Sequence, residues 1–432
     1  MNAPPMGAAI RTPALAVLSL HAWGCDGPAT DPLAEVRAEI PELLEAYDLP
    51  SIAVAVAIRG EIVWEEGFGW ADREARIPAT ELTAYSLASI SKPITATALM
   101  TLVEAGRIDL DAPIDQYLGD AKLNGRAFDA SRATVRRVAS HTAGLPLHYQ
   151  FFYEDEPYRR PPMNETIRRY ANLVTAPGER YQYSNLGFGL LDYVISRVSG
   201  QSYPDFMRER VFEPLGMTHS AVGLPPDLEP FAAVRYATDG SPIPFYDFDH
   251  PGGSAVWSSA HDLVRFGMFH LKDHLTDQAP ILEDASIDAA HHPVADSGVG
   301  STYGLGWSTR TWESGFRTYS HTGGMGGVRT SLNIIPDRDI AVVVLLNSSS
   351  PVMGYLTDRI LASLAPGEIP MPDRPPRDEA SDEEDDPPFR APDSLTGVWI
   401  GFVDTYMGAR DLRVVVESAG VQVGLGTQPI LD

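Results

Sequence analysis

The chain has 432 residues, with 58 acidic side chains against 33 basic ones, a formal net charge of −25, and 44% hydrophobic and 21% charged residues. That balance belongs to a globular protein of two or three domains, and the acid excess argues against a nucleic-acid partner, because a phosphate backbone needs a basic face. A single cysteine excludes an intrachain disulfide and a cysteine-based metal cluster, and no run of about 18 apolar residues is present to span a membrane.

The first residues read as an export segment. Arg11 precedes an apolar run from Ala14 to Leu20, and Ala22-Trp23-Gly24-Cys25 puts small residues at the spacing a signal peptidase cuts. Residues 1–25 are therefore expected to be a signal peptide, sending the protein to a bacterial periplasm or cell envelope. Three readings stay open at Cys25. The segment resembles a lipoprotein signal, in which the acylated cysteine would attach the chain to a membrane, and it also fits a plain secretory signal cut before or near Cys25, or an unprocessed tail.

From Leu33 to Tyr47 apolar and charged residues alternate with helical spacing. Ile52–Ile58 is an uninterrupted apolar strand candidate, Arg59-Gly60 a turn, and Ile62-Val63-Trp64 its hairpin partner. The region from Ile94 to about His270 reads as mostly helical, punctuated by proline and glycine. Strand patterns resume at Thr330–Ile335 and Ile340–Leu346. Strands from both ends of the chain that bracket a helical insertion predict one sheet flanked by helices, an α/β sandwich carrying a helical domain. Residues 366–393 hold ten acids against three bases, including the run Asp382–Asp386, and read as a solvated, self-repelling linker. Beyond it, Gly397–Val403 and Leu412–Val416 suggest a small β module, 394–432, minimal or incomplete.

Arginine outnumbers lysine 30 to 3, and only Lys92 has a serine three residues before it, in Ser89-Ile90-Ser91-Lys92. If Ser89 opens a helix, the spacing puts its hydroxyl and the lysine amine on one face. Ile94, Ala98, Leu99 and Leu102 continue the pattern, Pro93 fits the first turn, and Gly106 fits just past the end. A serine hydroxyl needs an adjacent base to become a nucleophile, and a buried lysine can serve where an arginine cannot. On its own the pattern is weak, since chance supplies it about one time in five.

Acyl transfer through such a pair needs a second proton carrier and a set of donors opposite the nucleophile. Tyr-x-Asn occurs twice, at Tyr170-Ala171-Asn172 and at Tyr183-Ser184-Asn185. The first lies in a run from Ile167 to Val174 that reads as continuous helix, where the two side chains would diverge. The second follows Pro177-Gly178 in a loop able to aim both groups at one point, and is preferred. His321-Thr322-Gly323-Gly324 follows a strand-like Arg317–Ser320. Its glycines would let a backbone N–H approach a bound carbonyl, although on this segment alone a glycine hairpin with an incidental histidine is the simpler reading.

Together and in this order, the three motifs resemble the fingerprint of the serine β-lactamase and penicillin-binding-protein superfamily, in its class C-like branch. Further blocks are similar to that family: Ser86 to Asp111, Ser140-His141-Thr142-Ala143-Gly144-Leu145-Pro146, Pro177 to Gly187, Pro214-Leu215-Gly216-Met217, Gly252-Gly253 with Ser258-Ser259-Ala260, and Tyr303 to Trp307. The resemblance covers residues 33–362. It implies a β-lactamase/transpeptidase-like fold with an antiparallel sheet and a mostly helical inserted domain. It also implies Ser89 as nucleophile, Lys92 as proton acceptor or electrostatic partner, Tyr183 as proton shuttle and Asn185 as an orienting group. Thr322 and Gly323 would line the substrate site with His321, and the N–H groups of Ser89 and Gly324 would form the oxyanion hole. Whether Lys92 or Tyr183 takes the serine proton stays open.

His321 stands where many β-lactamases of the family carry lysine, which ranks esterase or D-peptidase activity above β-lactam hydrolysis. The expected substrate is a small ester, amide or D-peptide, or a β-lactam, with no metal or organic cofactor and no nucleic acid. The competing reading is a catalytically silent binding or scaffold protein of the cell envelope. At an ordinary imidazole pKa near ~6.5, activity should fall toward acid if neutral His321 is productive, and fall toward base if the charged form holds a substrate carboxylate. The aromatics Tyr149, Phe151, Phe152, Tyr153 and Tyr158, between Leu147 and Met163, could line the cleft or pack beneath the loop.

Overall fold

A computed structural model describes residues 31–298, 300–312, 315–376, 390–405, 408–418 and 420–425. The proposed signal segment with Cys25 and the acidic run Asp382–Asp386 lie outside the described residues. Helix α1 (Ala34–Ala46) leads into strands β1 (Ser51–Ile58), β2 (Glu61–Asp72) and β3 (Ile77–Pro78). After a long insertion come β4 (Ala295–Gly298), β5 (Ser301–Tyr303), β6 (Ser308–Thr311), β7 (Arg317–Met325), β8 (Val328–Ile335) and β9 (Ile340–Leu346). They form one sheet in the order β3-β2-β1-β9-β8-β7-β6-β5-β4, so the early and late strands meet where β1 runs antiparallel to β9. The expected turn is present. Arg59 and Gly60 both take positive φ, 54° and 77°, which matches the twist of a two-residue hairpin.

The apolar runs at the centre of the sheet are continuous because both faces are covered. Ile52, Val54 and Val56 of β1, with Val342, Val344 and Leu346 of β9, pack under α1 and under α5 (Val352–Leu364) through Val36, Ile40, Leu356 and Ile360. Ala53, Ala55 and Ala57, with Ala341, Val343 and Leu345, face the opposite cluster, which includes α2 (Ser91–Glu104), α3 (Asn185–Ser199) and α4 (Ala260–Leu271). Two helix layers therefore sandwich one antiparallel sheet, with side chains alternating between them at the strand period of two. Ile369, inside the segment expected to be solvated, is buried against the α1–α5 layer.

The insertion is less helical than its sequence reads. Its proline- and glycine-rich stretches hold a small sheet of Tyr85–Ser86, Val256–Ser258 and Ser220–Val222, and a second one of Phe151–Tyr153 with Tyr246–Phe248. These strands are two or three residues long and pair with partners distant in sequence, as Tyr85 does with Ser258 and Phe151 with Phe248, so no local period reveals them. The C-terminal module is an antiparallel three-stranded sheet of β10 (Gly397–Thr405), β11 (Gly408–Glu417) and β12 (Gly420–Leu425).

Leu345 is fully buried beneath the helix layer that carries the candidate site. Leu345→Ala should cost about 2–5 kcal/mol, through lost transfer energy and a residual cavity, read as a lower urea midpoint at unchanged slope.

Candidate active site

The nucleophile candidate stands on a constrained turn. Leu87 N–H donates to the Val256 carbonyl at 2.9 Å, and Ala88 then takes a left-handed φ of 48°. A 3₁₀ turn over Ala88–Ile90 carries Ser89 to the start of α2, so Ser89 precedes the α-helix where the sequence suggested that it opens it. For a non-glycine residue the left-handed conformation costs roughly 1–2 kcal/mol. Ser91 pins the turn by donating its hydroxyl to the Ala88 carbonyl at 2.7 Å and accepting Val256 N–H at 3.0 Å.

Lys92, on the first turn of α2, is fully buried. Its amine lies 3.0 Å from Ser89 Oγ, 2.7 Å from Asn185 Oδ1 and 2.9 Å from the Gly253 carbonyl. Burial pushes its pKa well below the ordinary lysine value. Asn185 Nδ2 donates to the His148 carbonyl at 3.1 Å, so its Oδ1 faces the amine. A neutral amine matches these partners. Its two N–H bonds go to the two acceptor-only oxygens, and its lone pair is left for the Ser89 hydroxyl.

Tyr183 completes the cluster. Its hydroxyl bonds to the Ser89 side chain, its ring centroid is 4.7 Å from Lys92 Nζ, and burial raises its pKa well above the ordinary phenol value. Asn185 is the first residue of α3 and not part of a loop, and Ser184 caps that helix by accepting Gly187 N–H at 3.0 Å. The segment hangs on His141, whose carbonyl accepts Gln182 N–H at 2.7 Å and whose Nδ1 accepts Ser184 N–H at 3.1 Å. The His141 ring lies 4.3 Å from that of Tyr183, and burial pushes its pKa well below the ordinary imidazole value. The alternative pair is elsewhere. The helix Met163–Tyr170 ends sooner than expected, Tyr170 lies against the His148 ring, and Asn172 bonds Asn124 and Arg126.

His321-Thr322-Gly323-Gly324 is strand and not hairpin, because β7 runs on to Met325 and turns only at Gly326-Gly327. The turn has a geometric consequence. A two-residue hairpin closes on a hydrogen-bonded pair, Met325 with Val328, so the next pair, Gly324 with Arg329, points its N–H and C=O groups away from β8. That outer edge carries β6 only as far as Ser320. From His321 onward it is free of strand pairing, and the Gly324 carbonyl accepts the Tyr149 hydroxyl there at 3.1 Å. Since both backbone groups of a strand residue point the same way, Gly324 N–H faces the same open edge. Gly323 faces the nucleophile turn, where an added Cβ would sit 2.1 Å from the Leu87 carbonyl, so only glycine lets the turn dock on β7. Thr330 Oγ1 donates to that same carbonyl at 2.9 Å.

His321 is buried and neutral. Its Nδ1–H donates to the Thr322 carbonyl at 2.7 Å, which leaves Nε2 to accept the Tyr303 hydroxyl at 3.0 Å. Burial, its largest cause, lowers its pKa to about 3. The expected ionisation near 6.5 is thereby corrected. Among the described residues, one cluster could supply three metal ligands, His148, Asp249 and His250. Internal bonds account for it: Asp249 accepts from both imidazoles at 2.8–2.9 Å and from Thr166 at 3.0 Å. Burial works to raise the Asp249 pKa, but the bonds from the two histidines win and hold it below the carboxylate range.

The structure thus gathers Ser89, Lys92, Tyr183 and Asn185 around one point, with Thr322, Gly323 and Gly324 on the adjoining strand and the His321 ring 6.5 Å from that of Tyr183. His141, the Gly253 carbonyl and Tyr303 were not singled out as site groups from sequence. They stand within the blocks that carry the family resemblance, but nothing local marks them as partners.

This arrangement is that of a serine hydrolase of the class C and penicillin-binding-protein type. A family model described as beta-lactamase matches residues 36–365, and the chain belongs to that family. It is 28% identical over 316 residues to penicillin-binding protein 4* of Bacillus subtilis, covering 68% of this chain and 67% of that one. Unguisins hydrolase ungD' of Aspergillus campestris is 27% identical over 345 residues, covering 74% of this chain, which spans only 62% of that protein's length. Among solved structures, an octameric penicillin-binding protein homologue from Pyrococcus abyssi superposes with a TM-score of 0.68 at 25% identity, over 92% of this chain and 89% of that one. A class C β-lactamase from Rhodobacter sphaeroides superposes at 0.64 and 23% identity, over 76% of this chain and 98% of that one, a likeness of fold.

Because His321 stays neutral above about pH 3, it cannot produce an activity limb between pH 5 and 8. The pH profile of kcat/KM should keep its limbs in place in His321→Gln. A limb near 6.5 that vanishes in the variant would show that the ring titrates.

Proposed function

We propose that this protein is a serine hydrolase that works through an acyl-enzyme on Ser89, with small esters, amides or D-peptides ranked above β-lactams as substrates. The observation that carries the reading is the Lys92 amine, buried with no carboxylate partner among the described residues and shared among Ser89 Oγ, Asn185 Oδ1 and the Gly253 carbonyl. Burying an amine is costly, and here it sets a base next to a hydroxyl.

Ser89 Oγ attacks the substrate carbonyl carbon while its proton passes to Lys92. The oxyanion takes hydrogen bonds from the N–H groups of Ser89 and Gly324. On collapse the C–O or C–N bond breaks, Tyr183 protonates the leaving group, and Lys92 returns the proton to Tyr183. Water then attacks the acyl-enzyme by the same relay and frees the acid. Burial favours an uncharged amine beside an uncharged phenol, which supports Lys92 over a Tyr183 phenolate as the acceptor. The rank of substrates rests on His321, since a neutral imidazole offers no charge to a substrate carboxylate.

The test is intact-protein mass after treatment with a fluorophosphonate, beside Ser89→Ala. One adduct, absent from the variant, is expected. No adduct on the wild type would move the weight to a binding or scaffold role. Lys92→Arg keeps a cation but has no accessible base, and should slow adduct formation by about 10³-fold. In the wild type the rate should fall as pH drops through the depressed lysine pKa, because the neutral amine is then lost.

A further inference from the structure

We infer that Arg329, with Tyr149, forms a subsite for the acyl half of the substrate and selects acyl groups that carry an anionic terminus. The inference rests on the Ser89 reading above. Tyr183 donates its proton to the leaving group, and its ring is beside that of His321, so the leaving group lies toward the His321 end of the open β7 edge. The acyl chain must then run the other way, toward Gly324 and the hairpin turn.

Two side chains wait there. The Tyr149 hydroxyl holds the Gly324 carbonyl, the residue as a whole is 47% exposed, and its ring meets the Phe151 ring edge-on at 4.7 Å. Arg329, the cross-strand partner of Gly324, reaches back so that its Nη1 lies 2.8 Å from where a Cβ on Gly324 would sit. Its one hydrogen bond goes to the carbonyl of its own neighbour, Val328, at 3.1 Å, and among the described residues no carboxylate pairs with it. That is unexpected in a chain with 58 acids, where most other buried or half-buried cations have found an acidic or aromatic partner. The nearby Arg235 shows the contrast, being buried beneath Tyr246 with its guanidinium 3.8 Å from the ring centroid. A guanidinium left unpaired at the acyl end of a cleft, beside an exposed phenol, suits a carboxylate, which it can hold through charge-assisted bonds. Exposed Tyr149, with half-buried Phe151 behind it, would line the aliphatic or peptide stem before it.

Two p-nitrophenyl esters of equal chain length, hexanoate and adipate monoester, test this on the full chain. Wild type should hydrolyse the adipate ester with the higher kcat/KM. Arg329→Gln should lower kcat/KM for adipate by about 10- to 100-fold and leave hexanoate within about twofold, the hexanoate rate reporting intact folding and chemistry. Arg329→Glu should reverse the preference. An adipate-to-hexanoate ratio that both variants leave unchanged, or an equal loss on both esters, overturns the subsite while the Ser89 adduct still stands. A wild type with no adduct and no turnover of either ester overturns the Ser89 reading, and this one with it.

Discussion

A lysine amine removed from water needs compensation at every lone pair and proton, and the site is organised around meeting that need for Lys92. Three separate segments contribute: the nucleophile turn through Ser89, the start of α3 through Asn185, and the glycine-rich stretch of the insertion through the Gly253 carbonyl. Each of those oxygens is itself held. Asn185 is oriented by the His148 carbonyl, and His148 belongs to a hydrogen-bonded network with Asp249, His250 and Thr166. Moving any one segment would leave a buried polar atom unpaired, at a cost of about 1–3 kcal/mol. That penalty makes the site rigid before any substrate arrives.

The second constraint is one of parity along β7. The hairpin at Gly326-Gly327 decides which residues of β7 spend their backbone groups on β8 and which turn them to the open edge. A shift of the turn by one residue would pair Gly324 N–H into the sheet and aim Gly323 at the cleft instead. The same alternation puts Gly323 against the Leu87 carbonyl, where no Cβ fits. Thus one strand both docks the turn that carries Ser89 and turns a backbone N–H to the open edge beside it.

The sheet supplies the platform for this arrangement. Because β1 and β9 pair at its centre, the strand carrying His321–Gly324 sits three places from the chain's first strand, and the insertion between them is free to bring α2 and α3 to its edge. Apolar cover on both faces fixes the platform between the two helix layers. The histidines at the site follow from the same burial. Desolvation keeps His141 and His321 neutral, so each acts through a defined tautomer and not as a charge.

The residue sequence alone carried the local and ordered features. Ile52–Ile58 and Ile340–Leu346 are legible as strands because every residue is apolar. The Arg59-Gly60 turn is legible from its glycine, and Ser89, Lys92, Tyr183, Asn185 and His321 from their order and spacing. What only the tertiary structure decided depends on contacts across the chain. The continuation of β7 through two glycines is set by pairing with β8, and the early end of the helix at Tyr170 goes with backbone bonds that place Asn172 against Asn124. The lowered pKa values of Lys92 and His321 are set by burial, which no spacing in the sequence reveals. Arg329 gave no signal in a chain with 30 arginines, and its position beside Gly324 arises only when the hairpin closes. Periodicity and motif order report what a residue's neighbours in sequence demand, whereas protonation, donor direction and unpaired charge depend on neighbours in space.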